Sequence, residues 1–160
     1  MKKATSLLLL LCFAAALFSG CAFGNVRMPF NGKIEFHDIT AVIPSDFIRD
    51  STQSKDDLWV FEKGGYKKII IISRSDIKTD ADTHLKNYVN NITAKGGTAS
   101  QGKYLYEDAA MSTYYIDGVF CQEIIFAYNG SLYAFALRGG TESEFNELLK
   151  DINTPDTVSE

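Results

Sequence analysis

The sequence predicts one α+β domain, a three-layer α/β/α sandwich with a mainly antiparallel central sheet and a helix on each side. Two tight-turn pairs, Asp117-Gly118 and Asn129-Gly130, interrupt a long run of strand-like residues. Two further segments begin with a capping-box pattern and continue with apolar residues at helical spacing. The chain has 160 residues, of which 46% are apolar, and this excludes a disordered or low-complexity protein.

The first half of the domain is predicted to contribute strands. Residues 34–43 alternate weakly and stop at the turn residues 44–46, and residues 58–61 form a second candidate strand. The clearest strand is 67–73, which contains four consecutive isoleucines, and Gly64-Gly65 before it predicts a hairpin. Because those isoleucines do not alternate with polar residues, both faces of this strand should be covered.

The two helices are recognised by how they begin and end. Thr79 and Thr141 each precede an acidic residue by three positions, the spacing at which both side chains satisfy free backbone N–H groups. The first helix is predicted to end at Lys95-Gly96 and the second before Pro155. Each has one apolar stripe, so each should pack on the sheet.

Residues 98–138 predict an antiparallel meander of three or four strands whose register is set by the two tight turns. This register places Ser112 opposite Glu123, and both Tyr114 and Arg138 opposite Cys121. One face of the meander is then predicted to be a hydrophobic core surface, formed by Met111, Tyr115, Phe120, Ile124, Phe126, Tyr133, Phe135 and Leu137.

The first 21 residues predict export. Two lysines precede an apolar run at 7–18, which is too short to span a hydrocarbon core that needs roughly 20 residues. Residues 17–21, Leu-Phe-Ser-Gly-Cys, resemble the lipobox of bacterial lipoproteins, and this resemblance implies that Cys21 carries a diacylglycerol thioether and becomes the mature N-terminus. An ordinary secretory signal, with Cys21 incidental, is the alternative.

These features divide the chain into a signal peptide (1–20), a tether (21–30), one domain (31–153) and a C-terminal tail (154–160). Acylated Cys21 would bind the lipid bilayer, at the outer face of the cell membrane or at the outer membrane of a two-membrane bacterium. Without residues 1–20 the chain has 14 basic and 20 acidic side chains, a net charge of −6. That charge argues against nucleic acid as a partner.

No familiar catalytic or cofactor motif occurs, so we expect no enzyme activity, no cofactor and no metal. The candidate ligand-binding residues are Ser112, Tyr114, Glu123 and Arg138, which project from one face of neighbouring strands. They could form a polar recess that binds a small ligand or ion, or a structural ion pair at the sheet margin. Cys121, in a strand-like run, is interpreted as a small buried apolar residue.

The order of elements resembles the PsbP/DcrB/Mog-type family of small α/β/α sandwiches. The resemblance depends on residues 43–47 (Ile-Pro-Ser-Asp-Phe), the helix around 85–88, residues 114–118 (Tyr-Tyr-Ile-Asp-Gly), the Asn129-Gly130 turn and the closing helix around 145–149. It implies a non-enzymatic binding or accessory protein that docks on a larger assembly. Two hypotheses follow: a tethered module for an envelope protein partner, or a lipoprotein that binds a small ligand near Glu123 and Arg138.

Overall fold

The computed structural model describes residues 25–27, 32–77, 80–105 and 107–155. The predicted signal peptide and Cys21 lie outside these residues. Among the described residues, no helix is both long enough and apolar enough to cross a membrane.

The described residues form ten strands and two helices. The strands are β1 (Asn25–Arg27), β2 (Lys33–Phe36), β3 (Ile39–Val42), β4 (Ile48–Asp50), β5 (Leu58–Lys63), β6 (Lys68–Asp76), β7 (Thr98–Tyr104), β8 (Glu107–Ile116), β9 (Val119–Tyr128) and β10 (Ser131–Arg138). The helices are α1 (Ala81–Ala94), between β6 and β7, and α2 (Glu142–Lys150), after β10.

Eight of the strands form one antiparallel sheet in the order β1-β4-β5-β6-β10-β9-β8-β7. The β2–β3 hairpin and α2 pack on one face of this sheet, and α1 packs on the other. The predicted fold class, an antiparallel sheet between two helices, is therefore confirmed. β1 pairs with β4 at the sheet edge, although its residues fall within the segment predicted as a tether.

The predicted register of the meander is also confirmed. Asp117 and Asn129 have φ values of 51° and 48°, and the glycine after each also has a positive φ, as a type I′ turn requires. Ser112 lies opposite Glu123, and Tyr114 and Arg138 both lie opposite Cys121. The four isoleucines of β6 are all buried, which agrees with the prediction that both faces of this strand are covered.

Residues 34–43 form a hairpin and not the single strand predicted from their alternation. The chain reverses at His37, which has a φ of 53°, so β2 and β3 pair with each other. Their apolar side chains, including Phe36 and Ile39, face the central sheet together with Phe145 of α2. Two backbone hydrogen bonds of 2.9 Å between Thr40 and Asn153 join this hairpin to the segment after α2.

Helix α1 begins one residue later than the sequence predicts. Its N-cap is Asp80, whose carboxylate accepts hydrogen bonds from the backbone N–H groups of Asp82 and Thr83. The predicted cap, Thr79, lies outside the described residues. The capping box of α2 is confirmed, since Thr141 and Glu144 each accept a hydrogen bond from the other's backbone N–H.

Part of the predicted hydrophobic core surface is wrong. Tyr115 is 71% exposed and Met111 is 42% exposed, and Phe120 beside them is only partly buried. The side chains that cover this sheet face come from α2 and the β2–β3 hairpin, and they pack over the residues around Ile124 and Phe135. Met111 and Tyr115 of β8 therefore keep much of their side chains in solvent.

Candidate functional site

A buried carboxylate lies where α1 crosses the meander, and three of the four predicted ligand-binding residues meet there. Glu123 of β9 accepts a hydrogen bond from the Tyr114 hydroxyl of β8, with 3.0 Å between Oη and Oε2. Ser112, directly opposite Glu123 in the register, completes this part of the cluster. The predicted grouping of these side chains follows from the tight turn between β8 and β9.

The fourth group of the cluster comes from the helix. The Tyr88 hydroxyl donates to Oε2 of Glu123 at 2.7 Å and also forms a hydrogen bond with Oγ of Ser112. The role of Tyr88 was not predicted, because the helical spacing of the sequence places Tyr88 in the apolar stripe of α1. A tyrosine within an otherwise aliphatic stripe, facing the polar end of a sheet, is the signal that could have identified it.

Burial dominates the electrostatics of the cluster. Glu123 is only 6% exposed, and burial raises its pKa although the hydroxyls of Tyr88 and Tyr114 favour the charged form. Burial and the Glu123 charge together raise the pKa of both tyrosines far above the usual range. The two phenols therefore act as hydrogen-bond donors, and the cluster joins α1 to the sheet through polar contacts.

Arg138 lies apart from this cluster. Among the described residues it forms no ion pair with Glu123, and its buried Nε has no hydrogen-bond partner. Its charge is close enough to Cys121 to favour the thiolate, but burial is the larger effect and raises the pKa of that thiol to about 11. Cys121 is fully buried, as the sequence predicts for an apolar core position.

The acids at the start of α1 have structural partners. Asp80 caps the helix, and Asp82 accepts hydrogen bonds from Lys86 and Gln101. Nowhere in the described ranges do three or more His, Cys, Asp or Glu side chains come close enough together to hold a metal ion.

No protein-family model and no curated protein sequence matches the chain. Among solved structures, the chain is similar to cyanobacterial PsbP (CyanoP) from Synechocystis sp. PCC 6803, determined in solution. The superposition has a TM-score of 0.52 at 10% sequence identity, and covers 86% of this chain and 98% of CyanoP. The chain has a PsbP-like fold. At this identity the similarity concerns the fold alone, so no residue of the Glu123 cluster takes a role from CyanoP.

Within the PsbP-like fold, the Glu123 cluster lies between the sheet and α1, while the exposed residues Met111 and Tyr115 and the partly buried Phe120 lie on the opposite sheet face. We call these three residues the β8–β9 patch. The rings of Tyr115 and Phe120 contact each other, with centroids 5.5 Å apart. The cluster and the patch are thus separate features of one sheet, the first enclosed and the second open to solvent.

Proposed function

We propose that the protein is a non-catalytic accessory module that is anchored to a bacterial membrane through acylated Cys21 and binds another envelope protein. The signal-like N-terminus and the lipobox-like residues 17–21 support the anchor. The fold supports the accessory role, because the PsbP/DcrB/Mog-type proteins that the sequence resembles dock on larger assemblies.

The observation that carries the binding role is the β8–β9 patch. Tyrosine, phenylalanine and methionine are enriched at protein interfaces, and Tyr115 leaves most of its ring in solvent. If no partner covered this part of the sheet, polar residues would be the usual choice at these positions, because apolar side chains gain free energy only when they are removed from water. The patch therefore offers a docking surface that the chain's own elements leave uncovered in the described structure.

The alternative, a small ligand held near Glu123 and Arg138, has less support. Glu123 is enclosed beneath α1, and its Oε2 already accepts hydrogen bonds from two tyrosines. A ligand would have to displace Tyr88 or Tyr114 to reach that oxygen. Among the described residues, the unpartnered Nε of Arg138 favours this alternative.

The anchor is tested by expressing the chain in a bacterium and analysing its N-terminal peptide by mass spectrometry. We expect a mature chain that begins at Cys21 and carries acyl groups, and that partitions with membranes. The Cys21→Ser variant should lack the acyl groups and leave the membrane fraction. A mature N-terminus at another residue, or an unmodified Cys21, would contradict the proposed anchor.

The binding role is tested by placing a photo-crosslinking phenylalanine analogue at Tyr115 in cells. Asn87 is the control position, because it is exposed on α1, on the opposite face of the sheet from the patch. We expect position 115 to form crosslinks to one exported protein and position 87 to form none. Equal crosslinking at the two positions would show that the β8–β9 patch is not a specific docking surface.

A further inference from the structure

A cleft of about 400 Å³ opens between the tip of the β2–β3 hairpin and strands β4 and β5. Its lining combines aromatic rings, from Phe36 and Trp59, with the basic side chains of His37, Arg49 and Lys55, and it is completed by Ser54 and one acid, Asp56. The volume is within the range of small-molecule sites. Neither the Glu123 cluster nor the β8–β9 patch contributes to this lining.

Arg49 is positioned in this cleft by an aromatic stack. Its guanidinium carbon lies 3.8 Å from the centroid of the Trp59 ring, and Phe36 packs edge-on against the same tryptophan at 5.1 Å. Stacking fixes the plane of the guanidinium and limits the rotamers of a side chain that is otherwise mobile. Because stacking uses only the face of the guanidinium, the N–H groups at its edge stay available for hydrogen bonds in the plane of the guanidinium.

This guanidinium lacks a carboxylate. In the described part of the chain the Arg49 side chain has no ion pair or hydrogen bond, and its Nε is buried without a partner. Arg74, by contrast, pairs with both Asp57 and Asp76. Burial lowers the pKa of Arg49, yet an arginine stays charged at neutral pH, so the charge is partly desolvated without compensation.

The nearby acids leave this charge uncompensated. Asp57 interacts with Arg74 and with Nε2 of His37, which lies 3.0 Å from its Oδ1. The same His37 nitrogen lies 3.0 Å from the backbone oxygen of Asp56. His37 is therefore held at the rim by its neighbours. Lys55 and Asp56 also line the cleft with opposite charges, and no ion pair joins Asp56 to Arg49 among the described residues.

We propose that this cleft binds a small organic carboxylate, whose headgroup pairs with Arg49 and whose apolar body lies against Trp59 and Phe36. The planar guanidinium matches a carboxylate in two parallel hydrogen bonds. Binding supplies the counter-charge that the partly buried guanidinium lacks. The aromatic wall distinguishes an acid with an apolar body from a bare inorganic anion.

The test uses Trp59 as its own reporter, since it is the only tryptophan in the chain. Purified protein is titrated with hexanoate, acetate, phosphate and chloride at constant ionic strength while tryptophan fluorescence is recorded. We expect a saturable change with hexanoate, a weaker one with acetate, and none specific to phosphate or chloride. A response that is equal for all four anions would overturn the proposal.

Variants locate the response. Arg49→Gln should weaken hexanoate binding about tenfold or more, and Arg49→Lys, which keeps the charge but loses the planar fork, should weaken it less. Arg138→Gln is the matched control, because Arg138 also has a buried Nε without a partner, at the other site. Thermal unfolding checks that each variant is folded.

The results for these variants distinguish the cleft from the recess near Glu123 and Arg138, and they do not bear on the proposed docking role. Loss of hexanoate binding in Arg49→Gln and its retention in Arg138→Gln support the cleft. Loss only in Arg138→Gln would overturn the cleft and favour the recess near Glu123 and Arg138. Unchanged binding in both variants would overturn the cleft as well. Crosslinking at Tyr115 does not depend on any of these results.

Discussion

Replacing Gly139 with alanine is expected to lower the free energy of unfolding by about 2–5 kcal/mol. Gly139 has a φ of 74°, where an alanine costs about 1–2 kcal/mol because its Cβ crowds the backbone. An added Cβ would also lie 2.1 Å from the backbone oxygen of Lys67, and relieving such an overlap costs typically about 1–3 kcal/mol more.

The Gly139 position cannot easily move away from this overlap. Its N–H donates a 2.9 Å hydrogen bond to the oxygen of Phe120, which extends the β9–β10 pairing beyond Arg138. On its other side, Gly139 lies against the backbone of Lys67 and Lys68, at the turn that leads into β6. A shift away from Lys67 would therefore strain the pairing with β9 and the start of α2.

Gly118 is the matched control for this prediction. It has a φ of 75°, almost the same as Gly139, but an added Cβ would meet nothing within 4 Å. Gly118→Ala should therefore show only the backbone cost of about 1–2 kcal/mol. Urea unfolding of both variants, followed by circular dichroism, measures the difference. Equal losses would mean that the contact with Lys67 does not constrain the fold.

Removing the Tyr88 hydroxyl is expected to destabilise the protein by about 1–3 kcal/mol, because Glu123 loses a donor while it stays buried. Tyr115→Phe is the matched control, since the Tyr115 side chain is mostly in solvent, and it should leave the stability nearly unchanged. If Tyr88→Phe were as stable as the wild type, the Glu123 cluster would contribute nothing to holding α1 on the sheet.

The same cluster predicts a dependence on pH. Burial raises the pKa of folded Glu123 above the unfolded value of about 4.3, so the folded state binds the proton more tightly than the unfolded state does. Its contribution to the free energy of unfolding is therefore fully present below about pH 4.3, and it is lost as the pH rises through the folded pKa.

Glu123→Gln isolates this contribution, because a glutamine fills the same space without ionising. The stability of the variant relative to the wild type should increase as the pH rises above about 4.3. Asp50 has the opposite effect on the pH dependence. Burial raises the pKa of its carboxyl, but hydrogen bonds from Thr52, Tyr66 and Gln53 outweigh burial and lower that pKa to about 2. That effect is present in both proteins and cancels in the difference. A difference that is constant between pH 4 and 8 would contradict the raised pKa.

The predictions that succeeded depend on residues close together in the chain. The pairs Asp117-Gly118 and Asn129-Gly130 adopt the positive φ values that their turns need, and this alone aligns β8, β9 and β10. Ser112, Tyr114 and Glu123 were grouped correctly because that register brings them together. Neither Tyr88 nor the stack of Arg49 on Trp59 could be found this way, because each involves elements that meet only after folding.

The sequence by itself determined the register of β8, β9 and β10, the two helices and the layer order, because turn geometry, helix caps and apolar periodicity act over a few residues. Only the tertiary structure decided which parts of the sheet are covered. Met111 and Tyr115 have the same alternation as buried neighbours, but α2 and the β2–β3 hairpin do not bury them. Coverage depends on how far distant segments extend across the sheet, and no local pattern records that distance.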